Sequence, residues 1–193
     1  MSEQRRMNLA AIPTEFNGVM YRSRTEARWA VFFKALDLDV RYEPEGYDLH
    51  GLRYAPDFLV PAWDLFVEVK PSLPLSSEEN EKAARLAEAS GKLVLVVLGS
   101  PDAKRGVLFE NGAERSGDVR LNTFFAHCRR CPRVVLTSLE CDSNGNPCYM
   151  TERPIDGACP TITACGDRFT YAGSGFDEAI NAARNFTWQP TRA

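Results

Sequence analysis

The run PDFLVPAWDLFVEVK, from Pro56 to Lys70, is apolar almost throughout, yet it carries charges at positions that one fold brings together. Alternation of β-forming residues about a central Pro-Ala-Trp-Asp predicts a hairpin: a strand over 53–60, a turn over 61–64 and a returning strand over 65–71. In that register Val60 faces Leu65 and Asp57 lies opposite Glu68. Lys70 shares the face of Glu68, because side chains alternate with period two. Pro56, Phe58, Val60, Leu65, Val67 and Val69 fall on the other face. Two carboxylates and an ammonium gathered on an apolar hairpin carry a desolvation cost unless something pairs them. A divalent metal ion and a phosphate are natural partners for that set.

The chain has 193 residues, 44% of them apolar and 25% charged, enough for one medium domain with an appendage or two small ones. The formal net charge of −3 argues against a wholesale polybasic nucleic-acid binder. It leaves room for a local basic groove beside an acidic cluster. No apolar run approaches the roughly 18–20 residues that span a bilayer. Arg5 and Arg6 near the N-terminus have no apolar signal core behind them. The expectation is a protein with no membrane partner, located in the cytoplasm, or in the host cytoplasm if the chain is phage-encoded. All six cysteines lie between Cys128 and Cys165, a clustering that in a reducing compartment favours a structural metal.

Residues 15–21 read as a short hairpin over Asn17-Gly18. Ser23-Arg24-Thr25-Glu26 has the pattern of a capping box and opens a helix to about Leu38. Residues 39–49 are extended, bent by Pro44 and Gly46, and the charged hairpin follows. Pro71 and Pro74 then break the chain. Ser76-Ser77-Glu78-Glu79 caps a second helix over about 78–90, closed by Gly91. KLVLVVL, residues 92–98, is a strand buried on both faces and parallel to a neighbour. The order is therefore β-hairpin, α, β, β, β, α, β over residues 1–110. Residues 99–126 are weakly patterned, with 106–109 a candidate strand. A cysteine-rich element and a final helix over about 176–185 occupy 120–193, with Ala179, Ala182 and Ala183 available for close packing.

Asp57 and Glu68, a cross-strand pair with Cβ atoms about 5 Å apart, can share one Mg²⁺ or Mn²⁺ and leave positions open for water and a phosphate oxygen. The Val69 carbonyl can add a ligand between them, and Lys70 can steady an attacking water or the charge growing on a phosphate. Glu26 shares a helical stripe with Ala30 and Phe33, which turns it toward the hairpin. It fits a metal ligand, direct or through water, and it fits a helix cap equally well; the two roles can coexist at a helix N-terminus. Glu45, Glu79 and Lys82 are secondary candidates for which a solvated position is the simpler reading.

The string PD, followed by an ExK whose Glu lies eleven residues after the Asp, resembles the PD-(D/E)xK nuclease signature. RSRTEARWAVFF, YEPEGYDL, YAPDFLVP and FVEVKP are similar, more narrowly, to small phage-borne members of that superfamily. The resemblance covers about residues 16–100. It implies an α/β fold with a restriction-endonuclease-like αβββαβ core, its mixed sheet flanked by helices, and a small C-terminal zinc-ribbon-like element. It implies that Glu26, Asp57 and Glu68 are metal carboxylates and that Lys70 is the catalytic lysine.

His127-Cys128-Arg129-Arg130-Cys131-Pro132 contains a CxxC knuckle, able to hold Zn²⁺ with two further ligands. Residues 133–140 read as a strand, 142–146 as a turn and Cys148 onward as the return. That puts Cys141 and Cys148 about 25 Å from the knuckle, at roughly 3.3 Å per residue. Cys159 and Cys165 come after the return, so Cys128, Cys131, Cys159 and Cys165 form the expected zinc set. Cys141 and Cys148 are then free thiols or replace one of that pair. Such a site substitutes for a core that a short segment cannot build. Arg129, Arg130 and Arg133 can face a phosphate backbone or only solvent, as can Arg5, Arg6, Arg22, Arg24 and Arg28 near the first helix.

The expected function is metal-dependent hydrolysis of phosphodiester bonds, in DNA first of all, by a metal-activated water, with Mg²⁺ or Mn²⁺ catalytic and Zn²⁺ structural. A homodimer is compatible with this. The competing expectation is a catalytically silent nuclease fold that binds nucleic acid or protein, for example a phage inhibitor of host defence. In a third reading the first domain only docks a partner and the chain is a zinc-organised adaptor.

Overall fold

The computed structural model describes residues 11–49, 51–71, 75–101, 106–112, 115–121, 123–128, 134–141, 147–150, 169–170 and 174–187. The fold is mixed α/β. A hairpin of β1 (Thr14–Phe16) and β2 (Val19–Tyr21) turns through Asn17 and Gly18. Both turn residues have positive φ, 52° and 79°, as a two-residue hairpin turn of the expected hand requires. Helix α1 (Arg24–Ala35) follows. It stops earlier than the predicted Leu38 because Asp37 adopts a left-handed conformation and the Leu38 N–H turns back to the Phe33 carbonyl.

The main sheet has six strands in the order β10-β9-β8-β7-β6-β3. Its members are β3 (Arg41–Tyr42), β6 (Phe58–Val60), β7 (Leu65–Lys70), β8 (Leu93–Leu98), β9 (Gly106–Gly112) and β10 (Arg115–Leu121). Only the β7–β8 pair is parallel. Helix α2 (Ser77–Ser90) makes the crossover between those two strands. Ser76 and Glu79 close a complete capping box at its start, and Gly91 ends it in a left-handed conformation, both as predicted.

Two apolar layers hold the sheet. On one face Phe58, Val60, Leu65, Val67, Leu95 and Val97 pack against Ala27, Trp29, Ala30, Phe32 and Phe33 of α1. On the other, Leu59, Phe66, Val94, Val96 and Leu98 pack against Ala83, Leu86 and Ala87 of α2. β8 is therefore covered on both faces, which explains its unbroken aliphatic run. The first layer also takes in residues from later in the chain. Phe125, on β11 (Thr123–Cys128), makes ring contacts with Trp29, Phe32, Phe33 and Trp63. Ala179, Ile180 and Ala183 of α3 (Ser174–Asn185) are buried there too. Ala182, expected to pack with them, is exposed.

The charged hairpin forms in the expected register, with Val60 opposite Leu65 and Phe58 opposite Val67. Its first strand is shorter than the predicted 53–60. Arg53–Tyr54 (β5) pairs instead with Tyr47–Asp48 (β4) in a separate two-stranded sheet. Ala55 is exposed outside the hairpin. Pro56 explains the break: it lacks an N–H for the ladder and biases the residue before it.

A second sheet, in the order β13-β12-β11-β14, is antiparallel throughout. β12 (Val134–Cys141) and β13 (Pro147–Met150) pair with Cys141 opposite Pro147, as the predicted hairpin requires; β14 is Phe169–Thr170. Cys128 ends β11 at the opposite end of β12 from Cys141. The predicted zinc ligands Cys131, Cys159 and Cys165 lie outside the described residues, as do Arg5, Arg6, Arg129, Arg130 and Arg133. Among the described residues no helix is long and apolar enough to cross a membrane.

Candidate functional site

Asp57 precedes β6 by one residue, and the hairpin register sets it next in line opposite Glu68. Its backbone N–H leaves the ladder and donates to Glu68 Oε1 at 3.2 Å. The Val69 N–H in turn donates to Asp57 Oδ2 at 2.8 Å. Each strand thus fixes the other strand's carboxylate with a main-chain donor. Lys70 Nζ lies 3.5 Å from Glu68 Oε2 on the same face. The exposures are 4% for Asp57 and 2% for Glu68, against 24% for the Lys70 side chain. The two acids are buried and the amine reaches them from the rim. The sequence-predicted trio of Asp57, Glu68 and Lys70 is therefore assembled.

Burial raises the proton affinity of both acids. Asp57 is pushed up to about 7, chiefly by desolvation and then by the charge of Glu68. Glu68 moves in the same direction, again by desolvation, against hydrogen bonds from Tyr54 and Lys70 that favour its charged form. Tyr54, on β5, keeps its proton: burial and the adjacent Glu68 carboxylate both raise its pKa.

Glu26 is also buried, at 8%, on the stripe that also buries Ala30 and Phe33. Its carboxylate has several partners already. Oε1 accepts from the Ser23 hydroxyl at 2.8 Å. Oε2 accepts from Tyr42 Oη at 2.6 Å and from the Arg22 N–H at 3.2 Å. Ser23 caps α1 by accepting from the Glu26 N–H, but the reciprocal half of the capping box is replaced by these contacts. Tyr42 reaches Glu26 because β3 pairs with β6, Tyr42 opposite Phe58. Among the described residues, no group of three or more His, Cys, Asp or Glu side chains is arranged to hold a metal. Asp57 and Glu68 form a pair, and Glu26 stands beside them in a network of its own.

The link between the two is Arg22. Its Nη2 contacts Asp57 Oδ1. Its Nε lies 2.9 Å from Glu43 Oε1 and 3.8 Å from Glu26 Oε2. Sequence reading placed Arg22 only among basic residues near the first helix. It missed Tyr42, Tyr54 and Glu43 altogether. The available signal was the strings YEPEG and YAPD, which put a tyrosine within three residues of an acid on the segments flanking the hairpin. Which acid each tyrosine meets depends on strand pairing. The secondary candidates have structural roles: Glu45 accepts from Tyr47, Glu79 completes the α2 cap, and Lys82 pairs with Glu78 one turn away.

A cleft of about 370 Å³ lies elsewhere, between the first hairpin and the end of α1, lined by Phe16, Val19, Lys34, Asp37 and Val40 among others. None of the predicted site residues lines it.

No protein-family model matches the chain, and no curated protein matches its sequence.

Proposed function

We propose that this chain is a metal-dependent nuclease of the PD-(D/E)xK type, hydrolysing phosphodiester bonds in DNA, with a restriction-endonuclease-like αβββαβ core. The observation that carries this reading is the Asp57–Glu68 pair, two buried carboxylates fixed by each other's strands, both with raised proton affinity, and an ammonium beside them. Like charges held together in a dry site are stabilised by a hard divalent cation, and oxygen donors suit Mg²⁺ or Mn²⁺. The element order α1, β3, β6, β7, α2, β8 also supports it.

Asp57 and Glu68 would hold the ion, with the Val69 carbonyl as a further ligand and Glu26 linked through water. When bound, such an ion acts as a Lewis acid on water and on phosphate oxygen. The protein's own groups do the rest. Lys70 stands at the open edge of the pair, where it orients a water molecule and offsets charge on the phosphate. The main-chain donors of Asp57 and Val69 fix the carboxylates before substrate arrives, so little reorganisation remains for the reaction. Cys128, Cys131, Cys159 and Cys165 would hold one structural Zn²⁺ in the C-terminal part.

The test is incubation of the purified protein with plasmid and linear DNA in Mg²⁺, Mn²⁺ or EDTA. Cleavage is expected with metal and not with EDTA. Asp57→Ala and Lys70→Ala are expected to lower it at least ~100-fold, with an unchanged circular-dichroism spectrum. Undiminished cleavage by Asp57→Ala would remove this mechanism.

A second reading rests on a specific observation: Asp57 is already paired with Arg22, and Glu26 with Tyr42 and Ser23. Such a network suits a catalytically silent fold that binds nucleic acid or a protein. Tight DNA binding with no cleavage in any metal would select it.

A further inference from the structure

Asp57 has one carboxylate oxygen committed to the Val69 main chain and the other facing Arg22. A cation ligated by the second oxygen and a guanidinium in contact with it would repel each other across one atom. The two cations compete for that oxygen.

The exposures say which partner can leave. The Arg22 side chain is 55% exposed, whereas that of Asp57 is 6%. The guanidinium therefore reaches in from solvent and can return there without opening the core. The backbone at residue 22 is pinned independently of the side chain. Its N–H donates to Tyr42 Oη at 2.9 Å and to Glu26 Oε2 at 3.2 Å. Movement is thus confined to the side-chain torsions, with Glu43, on the rim, as an outer anchor for Nε.

Charge points the same way. In the ion pairs that the described residues make here, Glu26, Glu43, Asp57 and Glu68 meet Arg22 and Lys70, so four formal negative charges meet two positive ones. One divalent ion neutralises the remainder. A guanidinium displaced from Asp57 is then free at the mouth of the site, with a planar fork of donors that matches a phosphate.

We infer that Arg22 is a two-position cation: it holds Asp57 while no metal is bound, is displaced when a divalent ion takes that carboxylate, and then grips a backbone phosphate of the nucleic-acid substrate. This rests on the metal-dependent nuclease reading above and adds to it an order of events, metal before phosphate.

The test uses the full chain and two binding measurements that need no turnover. Mn²⁺ affinity is read by titration calorimetry or by the loss of free Mn²⁺ signal in electron paramagnetic resonance. Binding of a labelled DNA duplex is read by fluorescence anisotropy in Ca²⁺. Arg22→Gln removes the competitor, so it is expected to bind Mn²⁺ about tenfold more tightly than wild type and the duplex about tenfold more weakly. Opposite signs in the two measurements are the signature. An arginine that merely supports the fold would weaken both, and that result, or an unchanged Mn²⁺ affinity, overturns the inference. Should Arg22→Gln fail to fold, Arg22→Lys keeps the charge but loses the fork. It is expected to raise Mn²⁺ affinity by a smaller factor, roughly threefold, and no rise overturns the inference. Glu68→Gln separates the two levels. If Mn²⁺ binding to wild type survives Glu68→Gln unchanged, the metal site itself is misassigned; if binding is lost there but Arg22→Gln changes nothing, only the role of Arg22 falls.

Discussion

The buried carboxylates of Asp57 and Glu68 are expected to lower stability once ionised, and the sign of their effect on pH dependence follows from their shifts. Both are acids whose pKa is raised on folding. The folded state then binds more protons than the unfolded state, so stability falls as pH rises. For Asp57 the contribution is intact below its ordinary value of 3.8 and is lost as pH climbs through about 7. The metal-free melting temperature is therefore expected to decline between roughly pH 4 and pH 8. Glu68→Gln should flatten that decline. The substitution keeps an acceptor for the Asp57 N–H and removes one of two like charges. At pH 8 it should stabilise the EDTA-treated protein by at least about 1 kcal/mol, or roughly 2–4 °C for a chain of this size. A thermal melt across pH checks this, and a wild-type melting temperature that rises over the same range would contradict it. The pairing of Asp57 with Glu68 and Lys70 was legible in the sequence because it depends only on hairpin register and two-residue alternation. Arg22, Tyr42, Glu43 and Tyr54 were not. They come to the site from α1's flank, from β3 and the residue after it, and from β5, and no local periodicity relates those segments to the hairpin.

Elements whose ends are decided by nearest neighbours in sequence match the expectation, and those whose ends answer to distant groups do not. Helix α2 is of the first kind. Ser76 and Glu79 exchange hydrogen bonds within four residues, and the Gly91 φ of 65° closes the other end. Ser76→Ala is expected to cost about 1 kcal/mol, read as a drop of roughly 2–4 °C in melting temperature. A loss well below that would mean the cap is redundant with the packing of Ala83, Leu86 and Ala87. Helix α1 is of the second kind. Its Ser-x-x-Glu has the same pattern, but Tyr42 and the Arg22 N–H compete for the Glu26 carboxylate. The strand read as 53–60 divides at Pro56, and the partners that take up its two parts come from outside it. Tyr47 and Asp48 offer β5 another partner, and the Asp57 N–H finds the Glu68 side chain instead of a strand.

At the scale of the whole molecule, the sheet's two faces are closed by residues far apart in the chain. Phe125 and α3 complete the layer that α1 begins, with Phe186 edge-on to Phe16. The cysteine-bearing strands β11 and β12 run from this contact. Metal analysis of the purified protein is expected to find one zinc per chain, lost in Cys128→Ser together with cooperative melting of that part; a protein free of zinc after purification without chelator would refute the cysteine assignment. The mixed α/β class, the crossover helix and the strand buried on both faces were all determined by the sequence alone. Apolar period, caps and turn residues act over a few positions, where chain connectivity already holds the partners together. What only the tertiary structure decided is the company the buried charges keep beyond the hairpin. Arg22 stands 35 positions before Asp57, and Tyr42 lies 16 beyond Glu26. Such contacts form because packing of α1 and β3 onto the sheet brings the segments together, and the low dielectric there makes each acid seek whichever donor arrives.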